Sequence, residues 1–181
     1  KHIHERIGIT VVYVTHDQSE ALTMSNRIAV FDEGVIQQLS TPDILYEKPE
    51  NSFVAQFIGE NNRMTGTIKN IDEKYCEVDL DGGGIVKALK VNIGSVGERT
   101  QLSVRPERVS VNTQEISNEN NFKGDIKELI YLGDHIRARI EVCGNDEFIV
   151  KIPNEGNVGL KEGASINLHW QAEDIRALDP L

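Results

Sequence analysis

The sequence is poor in cysteine, aromatic residues and positive charge, and each shortage excludes a class of protein. Its two cysteines, Cys76 and Cys143, lie far apart and form no CxxC pair, so we expect reduced, partly buried thiols and no disulfide scaffold or metal site. The net charge is -10 and aromatic residues make up 6% of the chain. Nucleic-acid binders need a basic surface and stacking aromatics, so a nucleic-acid partner is not expected.

Long hydrophobic runs are also missing. The longest, near Ile9–Val14, is too short to cross a bilayer. The sequence has no signal-peptide pattern and begins with Lys1, which opens directly into a helix-like stretch, so we expect the native N-terminus to lie upstream. A length of 181 residues with 39% hydrophobic residues fits one or two small globular domains.

The first segment with a clear pattern is ITVVYVTHDQSE. Ile9–Val14 is apolar and β-branched throughout, which predicts a strand buried on both faces of a parallel sheet. Asp17 and Glu20 have the spacing of a helix capping box, and we assign both to capping. His16 therefore lies between a strand end and a helix start, the edge at which open α/β sheets bind ligands.

The next forty residues predict a hairpin and two short helices. Arg27–Asp32 reads as a strand, Glu33-Gly34 as a tight turn, and VIQQL as the returning strand. Thr41-Pro42 has the chemistry of a helix start, with a capping hydroxyl and a proline in the first turn. Ser52 is predicted to cap the last helix, and Gly59 to end it.

The character of the sequence changes after Gly59. The polar segment 60–63 is the predicted boundary between a domain at 1–59 and a domain at 60–181. Beyond it, the strand-like runs TGTIKNI, YCEVDL, GIVKALKV and RTQLSVR alternate with Gly, Asn and Asp turns. This alternation is typical of a small β-barrel or sandwich.

The second part also contains a weak internal repeat. GTIKNI at Gly66 resembles GDIKEL at Gly124, and QLSVRPERV at Gln101 resembles INLHWQAEDI at Ile166. The copies occur in the same order, so we expect two related β-modules packed together.

The segment from VVYVTHDQSEALTMSNRIAVFDEG to NSFVAQFIG resembles the end of the nucleotide-binding domain of ATP-binding-cassette (ABC) importers, above all the maltose, iron and polyamine import ATPases. The remainder resembles the transport-associated OB (TOBE) domain through LSVRPERV and the repeat. The implied fold is mixed: the C-terminal end of an α/β P-loop NTPase domain, then an all-β OB-like TOBE domain of two modules.

The resemblance implies an ATPase that uses ATP and Mg²⁺ to drive import. Its implied partners are a second ATPase subunit in a homodimer, the membrane permease, and indirectly an external solute-binding protein. The implied location is the cytoplasmic face of the inner membrane. The resemblance to polyamine ATPases, which includes FIGENN at Phe57–Asn62 and the span GDIKELIYLGDHIRARI, implies a polyamine, spermidine or putrescine, as the cargo.

Three residues are candidates for function. The resemblance implies that His16 is the switch histidine that contacts the γ-phosphate of ATP, the alternative being a capping or core histidine. Arg105 and Glu107 are candidates for a regulatory or dimer contact, against a turn held by a surface ion pair. His135 and His169 lack a nearby ligand cluster and are predicted to be structural or surface residues.

Several parts of an ABC ATPase are not found in the sequence. There is no GxxxxGK[ST] phosphate loop and no LSGGQ-like signature, and we expect no strand that ends in Asp-Glu, as a Walker B strand does. The alternative function is a non-enzymatic OB-fold module that binds a regulator or a small ligand.

The missing phosphate loop makes a direct prediction. The chain by itself should neither bind nor hydrolyse ATP, because it lacks the backbone cradle and lysine that hold the phosphates. Isothermal titration calorimetry with Mg-ATP measures this, and micromolar affinity would contradict it.

Overall fold

The computed structural model describes residues 6–112, 120–154 and 160–180. Its contacts divide the chain into two compact units, 1–59 and 60–181. Among the described residues, no helix has the length and apolar character needed to span a membrane.

Among residues 8–59 of the first unit, the structure has a two-stranded antiparallel hairpin and three short helices, and the hairpin and the last two helices are as the sequence predicted. In chain order these elements are α1 (Gln18–Met24), β1 (Ile28–Asp32), β2 (Val35–Ser40), α2 (Pro42–Glu47) and α3 (Ser52–Phe57). Their small core consists of Val30, Leu45, Val54 and Ile58. The exposed side of the hairpin is also apolar, since Phe31 and Val35 are each 60% exposed.

The strand predicted for Ile9–Val14 is not formed. The segment has no strand assignment, and its side chains are open to solvent, with Val12 88% and Val14 91% exposed. A strand buried in a parallel sheet is stabilised by hydrogen-bonded neighbours and by packing on both faces. No described residue of the chain pairs with this segment, so its apolar pattern has nothing to pack against.

Two of the predicted helix caps differ in detail. The cap of α3 is Asn51 rather than Ser52, and its side-chain oxygen accepts a hydrogen bond from the Val54 amide at 2.9 Å. The hydroxyl of Thr41 makes no capping bond to the backbone of α2. It hydrogen-bonds the carboxylate of Asp43 instead, which is the first cause of the lowered pKa of that group.

The Asp32-Glu33 dipeptide does not form the end of a parallel strand. Strand β1 ends at Asp32 and Glu33 follows it. Glu33 and Gly34 have φ values of 47° and 80°, and Asp32 pairs with Val35 across the turn. Two consecutive left-handed residues form a tight antiparallel hairpin turn. The dipeptide therefore lies in a hairpin and not at the edge of a parallel sheet.

The second unit is all-β, which confirms the prediction for this part of the chain. Its strands are β3 (Asn62–Ile71), β4 (Tyr75–Leu80), β5 (Ile85–Lys90), β6 (Arg99–Val104), β7 (Ser110–Asn112), β8 (Asn120–Tyr131), β9 (His135–Val142), β10 (Asn145–Pro153), β11 (Ser165–Trp170) and β12 (Ile175–Leu178). A 3₁₀ helix, Pro106–Arg108, joins β6 to β7.

Two sheets of five strands form this unit. The first is a closed barrel in the order β12-β5-β4-β3-β6, and the second is an open sheet in the order β10-β9-β8-β11-β7. Each sheet takes its last strand from the other half of the sequence, because β7 pairs with β11 while β12 pairs with β6 and β5. Neither half has all five strands of its own sheet.

The internal repeat corresponds to two modules with the same local geometry. Gly66 in β3 and Gly124 in β8 each lie against the second strand of their own hairpin. A Cβ on Gly66 would lie 2.4 Å from the Asp79 carbonyl oxygen, and one on Gly124 would lie 2.7 Å from the Ile140 side chain. Two positions after each glycine stands an isoleucine, Ile68 or Ile126. The strand register of each hairpin shifts just after this isoleucine. The glycines therefore allow the close approach that both hairpins need.

A pair of buried asparagines joins the modules reciprocally. Asn62 at the start of β3 donates to the Ile149 carbonyl and accepts from the Ile149 amide, both at 2.7 Å. Asn120 at the start of β8 makes the same two bonds to Lys87 of β5, both at 2.9 Å. Each side-chain amide takes the place of a strand neighbour at the edge of the opposite module.

One hydrophobic core runs through both sheets. Its largest buried side chain, Trp170, stacks on Phe122 and Phe148 with ring centroids 5.2 and 5.9 Å away. Both cysteines are free thiols, Cys76 buried and Cys143 half-buried, and burial raises the pKa of each to about 11. They are unreactive at neutral pH, as expected of structural thiols.

The asparagine pair yields a stability prediction. Asn62→Ala and Asn120→Ala should each lower the free energy of unfolding by about 1–3 kcal/mol, because backbone groups lose their partners. Urea denaturation measures the loss. The control Asn92→Ala, at an exposed loop position, should change stability by less than about 0.5 kcal/mol. Equal losses in the free energy of unfolding for all three variants would contradict this role of Asn62 and Asn120.

Candidate functional site

His16 lies at an exposed bend directly before helix α1. Thr15 fixes the start of the bend, since its hydroxyl oxygen accepts from the Asp17 amide at 3.0 Å. Asp17 then caps α1 by accepting from the Glu20 amide at 3.0 Å, as the sequence predicted. The backbone on both sides of His16 is therefore held while its imidazole faces solvent.

The carboxylate of Glu20 completes this network. It does not return to the backbone of Asp17, as a full capping box would, but accepts from the hydroxyls of Tyr13 at 2.9 Å and Thr15 at 3.1 Å. The hydrogen bond from Tyr13 is the main reason why the pKa of that phenol is raised. Glu20 therefore ties the segment before His16 to the helix after it.

Helix α1 is also bonded to the end of the first unit. The side-chain oxygen of Gln18, the first residue of α1, accepts from the Gly59 amide at 2.9 Å. Gly59 has a φ of 69°, and a Cβ there would lie 2.6 Å from the ring of Tyr46. Only glycine fits this position without strain, so the end of the unit is fixed beside the helix that follows His16.

The second unit opens with a charged cluster, which we call the Glu60 cage. It consists of Glu60, Arg105, Arg137 and Lys151. The carboxylate of Glu60 meets Arg137 Nε and Lys151 Nζ, each at 2.9 Å. Arg137 on β9 and Lys151 on β10 are direct cross-strand partners, and like charges in that arrangement repel. Glu60 is the anion that bridges them.

Arg105, the residue between strand β6 and the 3₁₀ helix, completes the cage. It is only 5% exposed and donates from Nη1 to the Glu60 carbonyl at 3.0 Å. Arg105 is therefore buried inside the unit. Glu107, the other regulatory candidate, is exposed on the 3₁₀ helix. Arg105 is thus brought to Glu60, whereas His16 belongs to the first unit.

His135 and His169 both lie in strands of the second unit. The Nδ1 atom of His135 lies 2.9 Å from the carboxylate of its neighbour Asp134, and His169 lies within β11. No group of three or more His, Cys, Asp or Glu side chains that could hold a metal ion occurs in the part of the chain that the structure describes.

The positive charges of the cage lower the pKa of Glu60. Partial burial raises the pKa, but hydrogen bonds and charge from Lys151 and Arg137 outweigh burial and hold it below its ordinary value of 4.5. The ion pairs are half-exposed, so solvent screening weakens them. The carboxylate is nevertheless ionised at neutral pH.

Comparison with known proteins identifies the second unit. Residues 102–178, from β6 through β12, match the TOBE domain family. The chain contains a TOBE domain. The β-strands β3–β5 precede the matched region but belong to the same core.

The chain is similar over most of its length to proteins named spermidine/putrescine import ATP-binding protein PotA. The relative from Pseudomonas aeruginosa is 40% identical over 155 residues, which cover 84% of this chain and 42% of that protein. The one from Trichodesmium erythraeum is 36% identical, with 97% and 48% covered, and the one from Chromobacterium violaceum is 39% identical, with 93% and 48% covered. The chain spans less than half the length of each.

A solved structure supports the fold of the TOBE unit. The cytoplasmic molybdate-binding protein ModG superposes with a TM-score of 0.57 at 21% identity, covering 66% of this chain and 96% of that protein. At this identity the likeness shows the fold alone.

Sequence reasoning missed most of the site that the structure assembles. Gln18, Arg137 and Lys151 carry no motif, since their partners lie far away in sequence. One signal was available: Asn62 and Asn120 each stand four residues before the repeated Gly-x-Ile-Lys. A polar residue kept in both copies of a repeat points to a shared structural contact.

The Glu60 cage makes a prediction about pH. Lys151→Gln or Arg137→Gln should raise the pKa of Glu60, measured by ¹³C NMR of its carboxyl carbon. Because the folded pKa is depressed, Glu60 stabilises the fold above its unfolded pKa and loses that contribution as pH falls through the folded pKa. Both substitutions should reduce the contribution of Glu60 to folding stability that is lost at low pH. Lys123→Gln, at an exposed position, is the control, and an unchanged Glu60 pKa in both cage variants would disprove the assignment.

Proposed function

We propose that this chain is part of the ATP-hydrolysing, energy-coupling subunit of an ABC importer for polyamines such as spermidine and putrescine. The observation that carries the proposal is the 36–40% identity to spermidine/putrescine import ATP-binding proteins over 84–97% of the chain. Residues 1–59 are then the end of the nucleotide-binding domain, and residues 60–181 are its TOBE accessory domain.

The exposed apolar surface of the first unit supports this assignment. Large hydrophobic side chains are exposed along the segment before His16 and on the β-hairpin: Ile9, Val11, Val12, Tyr13, Val14, Phe31, Val35, Ile36 and Leu39. Contiguous apolar surface of this kind marks a site that another structure covers. The proposed cover is the remainder of an α/β nucleotide-binding domain.

His16 is the residue of this chain that would meet ATP. Its imidazole is exposed on a bend whose backbone is fixed, so it can donate a hydrogen bond to a γ-phosphate oxygen with little reorganisation. Phosphoryl transfer is promoted by such donors, placed where charge redistributes. The phosphate cradle would be supplied by another part of the nucleotide-binding domain, since this sequence contains no GxxxxGK[ST] loop.

The proposed assembly follows from the proposed activity. Two ATPase subunits would pair as a homodimer at the cytoplasmic face of the inner membrane and contact the permease. The permease would receive polyamine from an external solute-binding protein. Deletion of the gene should lower spermidine and putrescine uptake, and normal uptake of both would argue against the polyamine assignment.

The alternative, a non-enzymatic OB module for a small ligand, has less support. Its structural argument is the likeness to a molybdate-binding protein, which at 21% identity extends to the fold and not to the ligand. It also leaves the bend at His16 and the similarity of residues before the TOBE domain unexplained.

The catalytic assignment is tested in a full-length protein that contains this chain. His16→Ala should lower kcat for ATP hydrolysis by roughly a hundredfold or more, since one preorganised donor is worth about 2.7–4 kcal/mol in the transition state. ATP affinity should change little, because an interaction strongest in the transition state affects rate more than binding.

The matched control is His135→Ala in the TOBE domain, which should leave turnover almost unchanged. Steady-state hydrolysis and equilibrium nucleotide binding are measured on both variants. If the His16→Ala variant hydrolyses ATP at nearly the rate of the unmodified protein, His16 has no catalytic role.

A further inference from the structure

Two positive charges lie directly opposite each other on the outer face of the TOBE domain. Arg137 on β9 pairs with Ile130 of β8 on one side and with Lys151 of β10 on the other. Directly opposite residues share one face of a sheet, so Ile130, Arg137 and Lys151 form a row across three strands, which we call the basic row. The next residue of β9, Ala138, lies in the core, so the row faces away from the core.

The first module has no such charges at the equivalent positions. The strand positions bonded by the reciprocal asparagines correspond to each other. Two residues beyond them, β10 has Lys151 opposite Arg137, whereas β5 has Leu89 opposite Tyr75. An aromatic–apolar pair stabilises a sheet, and two like charges destabilise it. The fold of the module therefore does not require the two cations, and proteins break a local rule of this kind mainly at functional sites.

The hairpin that carries the basic row is also longer than its counterpart. Beyond the register shift, β3–β4 has two residue pairs and β8–β9 has four. The extension ends at Leu132, which continues the face of Ile130, and these two side chains are 52% and 38% exposed. The turn of the first module, residues 72–74, is Asp-Glu-Lys instead. The second module thus places an exposed apolar end beside the basic row, where the first module has charged residues.

The apolar end is held in place by Asn154, which follows β10. The side-chain amide of Asn154 donates to the Tyr131 hydroxyl at 2.6 Å and to the Gly133 carbonyl at 3.0 Å. Its backbone amide donates to the Asp134 carbonyl at 3.2 Å. A surface whose conformation is fixed in advance loses less entropy when a partner binds.

We propose that Ile130, Leu132, Arg137 and Lys151 form a docking surface for an acidic segment of a partner protein. An apolar side chain of that segment packs on Ile130 and Leu132, and a neighbouring carboxylate pairs with Arg137 and Lys151. Within the described ranges, both cations make their ion pairs with Glu60, so one negative charge faces two positive ones. A carboxylate from the partner balances the remaining charge. The surface lies wholly within the TOBE domain.

The shape of the surface favours a narrow peptide over a bilayer or a second copy of the chain. The side chains of Arg137 and Lys151 are only 29% and 28% exposed, whereas that of Asp134 at the end of the hairpin is 84% exposed. A flat anionic membrane would meet Asp134 before it reached the cations. A stable dimer buries about 800 Å² on each partner, far more than these four side chains offer.

The first test measures binding of a probe peptide to the chain. The probe is a short synthetic peptide with a leucine–phenylalanine pair flanked by glutamates, and the control peptide has glutamine in place of each glutamate. In a ¹⁵N NMR titration, the glutamate peptide should shift amides at residues 130–137 and 149–152, and the glutamine peptide should not. Failure of the glutamate peptide to bind, or equal binding of both peptides, would overturn the proposal.

The second test assigns the binding to the proposed side chains. Lys151→Gln and Leu132→Ser should each weaken binding of the glutamate peptide about two- to fivefold. The matched controls are Lys161→Gln, at an exposed lysine, and Ile85→Ser, at a side chain that is 50% exposed on the barrel. Thermal unfolding verifies that each variant is folded. Equal losses of affinity in the controls would contradict the assignment.

The role of Glu60 gives a change of opposite sign. Glu60→Gln removes the carboxylate that competes for the two cations, so the glutamate peptide should bind about two- to fivefold more tightly. Weaker binding to this variant at unchanged thermal stability would contradict the proposal.

Two further measurements distinguish the other occupants. The chain should not cosediment with phosphatidylglycerol vesicles, and sedimentation velocity should give the same mass for the unmodified chain and for Leu132→Ser. Cosedimentation that is lost in Lys151→Gln and Leu132→Ser would assign the surface to an anionic membrane. A dimer that is lost in Leu132→Ser would assign it to a second copy, and either result would overturn the proposal.

Discussion

The TOBE domain depends on backbone groups that one half of the unit leaves unpaired and only the other half can satisfy. The side-chain amides of Asn62 and Asn120 fill these positions reciprocally, and strands β7 and β12 cross to complete the opposite sheets. An unpaired buried amide or carbonyl costs about 1–3 kcal/mol, so each half in its present conformation is less stable without the other. The two modules consequently share one core.

The same constraint determines where the charged cage can form. Because β3 must begin with Asn62 against β10, the two preceding residues run past the ends of β6, β9 and β10. Glu60 then lies beside Arg137 and Lys151, whose mutual repulsion it relieves. The cage is thus a consequence of how the chain enters the β-sheets.

The first unit shows the opposite situation. Its short helices and hairpin are locally determined, and their caps and turns form with few long-range contacts. Its apolar segment at residues 9–14, however, is exposed and unpaired. A sheet strand requires neighbours, whereas a capped helix carries most of its hydrogen bonds within itself. This explains why the bend at His16 is well defined although the strand predicted before it is not formed.

The sequence by itself determined the hairpin at β1–β2, the capping of α1 by Asp17, the alternation of the β-domain and the repeat of its two modules, because these depend on residues close together in the chain. It also located His16 between a strand-like run and a helix. Only the tertiary structure decided that β7 and β12 exchange sheets, that Arg105 is buried against Glu60, and that Gln18 holds Gly59. Those contacts join residues 41 to 87 positions apart, and no local periodicity records such pairings.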